Sequence, residues 1–143
     1  MLAKSGLHVT ICEMPRAGDG TLVAALAAQG VSLVHALAPD NRAAETARIP
    51  ALAAGVMGSQ VIVETGKADA LPLGDSVADL YLVTDATDAN LNALTAAEAA
   101  RVLAPYRGVA IVQGYLDVPT TGIYHFSVKG SGGSFTLYDR TGQ

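Results

Sequence analysis

LHVTICEMPRAGDGTLVAALAAQ, residues 7–29, is the segment from which the fold class is most clearly predicted. It opens with a short run of apolar and β-branched residues, Leu7–Cys12, which predicts a buried strand. Glu13–Gly20 follows with one proline and two glycines, the residues that mark a tight loop. Thr21–Gln29 is rich in strong helix formers, and Gly30 is placed to end that helix. The stretch therefore predicts a strand, a loop and a helix in that order.

Apolar runs alternate with helical patterns in the same way further along the chain. Four more strands are predicted at Val31–Leu37, Val61–Glu64, Asp79–Thr84 and Val109–Val112. Helices are predicted over Pro39–Ala54, with a break near Pro50, and over Leu91–Leu103. Apolar strands that alternate with helices are typical of a parallel sheet covered on both faces. With right-handed crossovers, we expect an α/β fold with a doubly wound, mostly parallel sheet.

The composition restricts the class of protein. The chain has 143 residues, of which 50% are hydrophobic and 15% charged, which suits one domain with a sizeable core. Its net charge of −4 and its lack of a Lys/Arg cluster argue against nucleic-acid binding. The sequence has neither the roughly 20 consecutive apolar residues of a membrane span nor a signal-peptide pattern. The compartment stays open, and a secreted or periplasmic parent protein is one alternative.

Residues 113–143 differ in character from the rest. They hold most of the aromatic residues, with many Gly and Thr, and they alternate with period two on both sides of a Ser-Gly-Gly-Ser turn. This pattern predicts a β-hairpin. We therefore divide the chain into an α/β domain over residues 1–112 and a β-rich segment over residues 113–143, and we expect it to be a piece of a longer protein.

The loop after the first predicted strand is the best candidate for a site. Ligands of an open parallel sheet bind beyond the carboxyl ends of its strands, near the point where the strand order reverses. Here an acid, Glu13, precedes Gly18, Asp19 and Gly20, and a helix N-terminus follows with free N–H groups. Glycine lets the backbone approach a ligand closely. A simple turn without a ligand explains these residues equally well.

Other kinds of site find little support in the sequence. Cys12 is the only cysteine, so we expect no internal disulfide and no cysteine-based metal site. His8, His35 and His125 are far apart, and each is better explained as a satisfied core or sheet histidine than as a metal ligand. The chain has no nucleophile-elbow motif, and it offers no convincing catalytic residue.

Four segments in order resemble class I S-adenosylmethionine-dependent methyltransferases: ICEMPRAGDGTLVAAL, LVHALAPDNRAAETAR, VIVETGKADALPLGDSVADLYLV and AARVLAPYRGVAIV. The runs LPLGDSVADL and ARVLAP are the most specific, because the family often has similar runs before its fourth and fifth strands. The resemblance covers about residues 7–112. In detail it is similar to divergent methyltransferase-like segments of large bacterial proteins with quinoprotein-type β-propeller repeats. It implies a Rossmann-like fold and S-adenosylmethionine as the cofactor.

The resemblance also assigns cofactor-binding positions to the loops after the strands. It places the methionine part of the cofactor at Glu13, Gly18 and Gly20. Asp85 and Asp88 follow the fourth predicted strand, where this fold often contacts the substrate, although acids there are more often caps or solvated. The candidate cofactor-binding residues are Glu13, Gly18, Asp19, Gly20, Asp40, Asp69 and Asp85.

Three family positions carry residues that cannot make the expected contact. The ribose-binding acid falls on Ala38, and Asp40 lies two residues later. The acid near the adenine falls at about Lys67, which has no acceptor, with Asp69 nearby. Tyr106-Arg107 replaces a Gly-Gly pair. Two lost charged hydrogen bonds would weaken binding by about 100-fold. Two hypotheses stay open: a cofactor-binding methyltransferase-like domain, or the same fold as a non-catalytic scaffold or interaction module.

The tail GYLDVPTTGIYHFSVKGSGGSFTLYDRTGQ resembles the opening of PA14-type β-sandwich domains, through its Gly-Tyr-Leu-x-Val-Pro and Gly-x-Tyr-x-Phe runs. This resemblance implies a carbohydrate-binding neighbour in a larger secreted or surface protein, with other domains of that protein as partners. The alternative is that the predicted hairpin adds to the edge of the α/β sheet.

Overall fold

The computed structural model describes residues 8–91, 93–114, 120, 122 and 123. Its strands are β1 Ile11–Met14, β2 Leu33–Ala38, β3 Val61–Thr65, β4 Leu80–Ala86 and β5 Val109–Gly114. Its helices are α1 Thr21–Ala28, α2 Asn41–Ala53, α3 Asp88–Leu91 and α4 Ala96–Val102. The strands form one sheet in the order β3-β2-β1-β4-β5, and every pairing is parallel. The predicted α/β fold with a doubly wound parallel sheet is confirmed.

Most of the predicted β-rich segment lies outside the described residues. Gln113 and Gly114 extend β5, and Ile123 is exposed. The hairpin, the PA14-type resemblance and His125 fall on residues that the structure does not describe. Within the part of the chain that it does describe, no helix is both long and apolar enough to cross a membrane.

One face of the sheet is covered by α1 and α2, and we call it the helix-covered face. Its side chains are apolar and buried because alternate residues of a strand point to the same side. They pack against Val23 of α1 and against Ala44, Ala47 and Ala51 of α2, whose small side chains let that helix approach closely. The helix-covered face consists of Cys12, Met14, Val34, Ala36, Val61, Val63, Leu80 and Leu82.

The opposite face carries a group of ionisable side chains, and we call that group, Glu13, His35, Glu64 and Tyr81, the ionisable row. The register pairs Glu13 with His35 on one side and with Tyr81 on the other. Glu64 reaches His35 diagonally from β3, since His35 itself pairs with Ile62. Beside the row, Leu71, Ala78 and Val102 pack in a smaller apolar cluster that includes Tyr81.

Helix α2 continues through Pro50, so the predicted break there is wrong. A proline removes one backbone donor and crowds the preceding turn, which is the cost that led us to expect a break. Pro50 lies in the last turn, and the flanking Ala47 and Ala51 are fully buried against the sheet. The Ala54 N–H still bonds to the Pro50 carbonyl at 3.0 Å. Tertiary packing therefore carries the helix to Ala53.

The single helix predicted over Leu91–Leu103 is also wrong, because two short helices occupy this region. Thr95 between them has an extended backbone, and its hydroxyl accepts a hydrogen bond from the Glu98 N–H at 3.4 Å. This is the Ser/Thr-x-x-Glu arrangement that starts a helix. The sequence TAAE at 95–98 contained the signal for a helix start at Ala96.

Helix α4 fastens the long segment before β4. Glu98 accepts the Leu71 N–H at 2.8 Å, and Arg101 donates to the Leu71 and Leu73 carbonyls at 2.9 Å each. Arg101 also bonds Glu98 at 2.8 Å, and these hydrogen bonds lower the pKa of Glu98 to about 2. Through these contacts, α4 fixes the position of residues 71–73.

Candidate functional site

A cavity of about 530 Å³ lies at the carboxyl ends of the first three strands. Residues 15–18 after β1, 37–39 at the end of β2 and 66–69 after β3 line it, with residues 90, 93 and 94 from the segment after β4. The strand order reverses between β1 and β4, so the cavity sits where ligands of such sheets bind. Its volume is within the range of about 300–1,000 Å³ for small-molecule sites.

The loop after β1 gives its two glycines different tasks. Gly18 lines the cavity with φ +59°, and a Cβ atom added there would meet nothing within 4 Å. Gly20 is buried with φ +83°, and a Cβ atom there would lie 1.9 Å from the Ala47 carbonyl oxygen. Gly18 therefore leaves the cavity wall open to a ligand, whereas Gly20 allows α1 and α2 to pack.

Asp19 and Asp40 each accept a backbone N–H group at the start of a helix, and Asp40 is the N-cap residue of its helix. Asp19 accepts the Thr21 N–H at 2.9 Å at the start of α1, and this bond lowers the pKa of its carboxyl. Asp40 accepts the Ala43 N–H at 2.8 Å at the start of α2. The two acids also line a smaller hollow of about 380 Å³ beside the cavity. The structure thus brings Asp19 and Asp40 together, next to the cavity rather than in its lining.

Glu13 is a strand residue, since β1 runs to Met14 and not to the predicted Cys12. Its side chain is fully buried, and its Oε2 lies 2.6 Å from His35 Nδ1. The second ring nitrogen, Nε2, lies 3.0 Å from Glu64 Oε2. Glu13 is therefore engaged by the ionisable row on a face of the sheet, away from the cavity lining that the described residues form. The expectation that His35 is a satisfied sheet histidine is confirmed.

Glu13 and His35 alter each other's pKa across their 2.6 Å contact. Burial raises the pKa of Glu13, against the lowering effect of the hydrogen bond and charge of His35. Burial alone would lower the pKa of His35, but the hydrogen bonds and charges of Glu13 and Glu64 outweigh it and raise that pKa. The raised pKa of His35 favours retention of a proton above the pH at which a free histidine loses it. Glu13 Oε1 and Tyr81 Oη are buried beside this pair without a hydrogen-bond partner in the described part of the chain.

The lining from β2 and β3 carries the substitutions that the sequence indicated. Ala38 is 3% exposed and forms part of the cavity wall, at the position where the resemblance implied a ribose-binding acid. Lys67 and Asp69 both line the cavity after β3. Of the seven candidate residues, Gly18 and Asp69 belong to the cavity lining itself. Asp69 offers the acceptor that Lys67 lacks.

Asp85 forms an ion pair with Arg16, a residue that the sequence did not single out. Arg16 Nε lies 2.9 Å from both carboxylate oxygens of Asp85, and Nη2 lies 2.8 Å from Oδ2. Arg16 belongs to the cavity lining, so the pair joins the loop after β1 to the end of β4 at the cavity. No sequence signal links two residues 69 positions apart.

The Tyr106-Arg107 pair lies away from the cavity lining. Tyr106 has φ +66°, the left-handed region in which the resembled family has glycine. Arg107 Nε lies 3.1 Å from Asp79 Oδ1, and the other Asp79 oxygen accepts the Thr10 and Ile11 N–H groups at 2.9 and 3.2 Å. Asp79 therefore joins the start of β4 to the start of β1 and to Arg107.

Neither the cysteine nor the metal-ligating residue types form a reactive site in the described part of the chain. Cys12 is buried on the helix-covered face, and burial raises the pKa of its thiol to about 12. Among the residues that the structure describes, no three His, Cys, Asp or Glu side chains are grouped so as to hold a metal ion.

No family model and no curated protein matches this chain. Solved structures do match. A candidate S-adenosyl-L-methionine-dependent methyltransferase from Methanococcus maripaludis superposes with a TM-score of 0.67 at 22% identity, over 79% of this chain and 51% of that one. A SAM-dependent methyltransferase from Methanosarcina mazei gives 0.58 at 21% identity, over 74% and 53%. This chain spans about half the length of these structures, and the likeness establishes a methyltransferase-like Rossmann α/β fold.

Proposed function

We propose that this chain binds an S-adenosyl ligand, S-adenosylmethionine or its demethylated product, as a methyltransferase-like domain. One observation carries the proposal: a cavity of about 530 Å³ lies beyond the carboxyl ends of three parallel strands, with Gly18 in its wall. The solved methyltransferases of the same fold support the adenosyl class of ligand.

The lining residues fit such a ligand in part. Leu94 offers partly exposed apolar surface for an adenine ring, and Asp69 offers an acceptor for its amino group. Backbone without a side chain at Gly18 and Gly66 lets the ligand approach both loops closely. S-adenosylmethionine, when bound, would supply an electrophilic methyl group on a sulfonium. The residues of the chain would then bind and orient the ligand.

The same fold as a non-catalytic scaffold is the second candidate function. Ala38 favours it, because this cavity residue leaves the ribose hydroxyls without the charged acceptor that the resembled family supplies. The loss of such a hydrogen bond costs about 1.5–3 kcal/mol of binding free energy. Fold alone does not decide between the two functions.

Calorimetric titration with S-adenosylhomocysteine and S-adenosylmethionine tests the proposal. We expect dissociation constants in the micromolar range, about −8 kcal/mol of binding free energy. Ala93→Trp places a large ring at the cavity and should abolish binding, because Ala93 is an exposed lining residue outside the core. Ala28→Trp is the matched control, since Ala28 is an exposed alanine on α1 outside the cavity lining.

Two results would overturn the proposal. Absence of binding by the folded chain at ligand concentrations on the order of 1 mM would leave the scaffold function. Equal binding by the wild type and Ala93→Trp would place the ligand elsewhere on the molecule.

A further inference from the structure

The ion pair between Arg16 and Asp85 is built into the cavity from two sides. Asp85 lies in an irregular part of β4: Val83 pairs with Val112 and Ala86 pairs with Gly114, so β4 has one extra residue there. Such bulges redirect side chains and are common beside functional sites. The bulge thus gives Asp85 a fixed place at the end of the strand.

Asn90 fixes the backbone at the same point. Its side-chain amide donates to the Asp85 carbonyl oxygen at 2.9 Å, and its side-chain oxygen accepts the Thr87 N–H at 2.8 Å. Asn90 itself lines the cavity. The strand and the Asn90 contacts therefore fix the backbone of Asp85. The carboxylate of Asp85 in its turn fixes the guanidinium of Arg16.

Stability alone is a poor explanation for this arrangement. The side chains of Arg16 and Asp85 are 39% and 45% exposed. Ion pairs this open to solvent contribute about 0–1 kcal/mol to the free energy of unfolding. Three close contacts between one guanidinium and one carboxylate nevertheless fix the orientation of Arg16. The geometry is better suited to orienting the arginine than to stabilising the fold.

The oriented guanidinium keeps donors for another group. Asp85 contacts Nε and Nη2, and in the described part of the chain Nη1 has no hydrogen-bond partner. An arginine with a free edge suits an acidic oxygen pair, because its N–H groups form a rigid fork. Lys67 and Asp69 line the cavity in the loop after β3, so they do not set the charge near β1 and β4. On that side of the cavity, the free edge of Arg16 is the group that an anion would meet.

We propose that Arg16, positioned by Asp85, binds the carboxylate of a second small molecule, the methyl acceptor. This inference rests on the proposed function, and it defines the acceptor class as small carboxylic acids. Arg16 is a binding residue in this scheme, and Asp85 is its positioning residue. The methionine carboxylate of the adenosyl ligand is the other possible source of the same chemistry, and the experiment separates the two.

Benzoate and benzamide are suitable probes because they share a shape and only benzoate is charged. Each is titrated into the full chain, with saturating S-adenosylhomocysteine, and followed through the arginine Nε–Hε NMR signals. The signal that Arg16→Gln deletes identifies Arg16. We expect benzoate to shift this signal and to bind at least about tenfold more tightly than benzamide, a ratio worth about 1.4 kcal/mol.

Arg16→Gln should remove the preference for benzoate, whereas the affinity for 5′-methylthioadenosine, which has no carboxylate, should persist. Arg42→Gln is the matched control, since Arg42 lines the neighbouring smaller hollow, and it should keep both properties. A preference for benzoate that persists in Arg16→Gln, or is absent from the wild type, would overturn the inference.

The affinities of two adenosyl ligands, one with and one without a carboxylate, show which carboxylate Arg16 binds. If Arg16→Gln weakens S-adenosylhomocysteine but leaves 5′-methylthioadenosine unchanged, Arg16 binds the methionine carboxylate and the acceptor assignment is overturned. If the wild type binds no adenosyl ligand, the proposed function fails, and the benzoate titration without that ligand still reports on Arg16 separately.

Discussion

The two faces of the sheet are made from alternate residues of the same strands, yet they are held together differently. The helix-covered face is apolar, and its contact with α1 and α2 depends on close packing of small groups. The ionisable row on the other face places Glu13 against His35 in a buried position. The stability of the helix-covered face therefore depends on how closely the backbones approach each other. The stability of the other face depends on the pairing of its buried charges.

The residues from Glu13 to Gly20 also lie in different surroundings. Glu13 belongs to the ionisable row, Gly20 belongs to the helix packing, and Gly18, between them in the sequence, belongs to the cavity. A motif that is continuous in the sequence is therefore divided among three environments. Substitutions in this motif should consequently differ in what they damage.

The largest expected effect comes from Gly20→Ala on the helix-covered side. The added Cβ would lie 1.9 Å from the Ala47 carbonyl oxygen, and φ is +83°. Backbone strain and overpacking together should lower the free energy of unfolding by about 3–5 kcal/mol. Gly18→Ala is the matched control, because its φ is also positive but its Cβ meets nothing within 4 Å, and it should cost about 1–2 kcal/mol.

Urea unfolding of the three proteins checks this prediction through the transition midpoint at unchanged slope. Equal losses of unfolding free energy in Gly20→Ala and Gly18→Ala would contradict the packing argument. They would show that backbone strain in the loop, and not the contact between α1 and α2, causes the loss.

The next largest effect is expected from His35→Ala on the ionisable face. This substitution leaves the fully buried Glu13 without its partner, and removing one member of a buried ion pair costs about 3–5 kcal/mol. Glu64→Gln tests the outer end of the row. The Glu64 side chain is 53% exposed, so its loss should cost less than about 1 kcal/mol. Thermal or urea unfolding measures both, and a reversed order would contradict the charge-compensation argument.

The smallest expected effect is a pH dependence of stability that only the ionisable face produces. The raised pKa values of Glu13 and His35 mean that the folded chain keeps a proton that the unfolded chain has released. The free energy of unfolding should therefore fall as pH rises above 6.5, the ordinary histidine value, and through the raised pKa. Each unit of difference between the folded and unfolded pKa is worth about 1.4 kcal/mol.

Urea unfolding from about pH 6 to about pH 9 measures this fall. Glu13→Gln is the control, because it removes the acid of the pair and should flatten the profile in this range. Glu98 acts in the opposite direction and outside this range, since its lowered pKa contributes stability that is lost as pH falls through about 2. A profile that stays unchanged in Glu13→Gln would show that the fall has another origin.

The place of the candidate site could be predicted because it follows from the positions of loops, but most of its lining residues could not. The end of a parallel strand and a glycine in the next loop indicated Gly18, and Asp69 came from the family resemblance. Arg16 could not be predicted, because its partner Asp85 is 69 positions away and is placed by a bulge. The helix start after Thr95 had a local signal in TAAE, which was missed because the apolar stripe around it suggested one long helix.

The sequence by itself determined the alternation of strands and helices and hence the parallel, doubly wound sheet. Apolar periodicity and helix-forming runs are local properties, so they can be recognised without knowledge of the tertiary contacts. Only the tertiary structure decided what each polar residue does. Glu13 meets His35 across 22 positions, and Gly20 meets α2, because strand register and helix approach bring distant groups together. Such meetings depend on three-dimensional distance, which no spacing along the chain encodes.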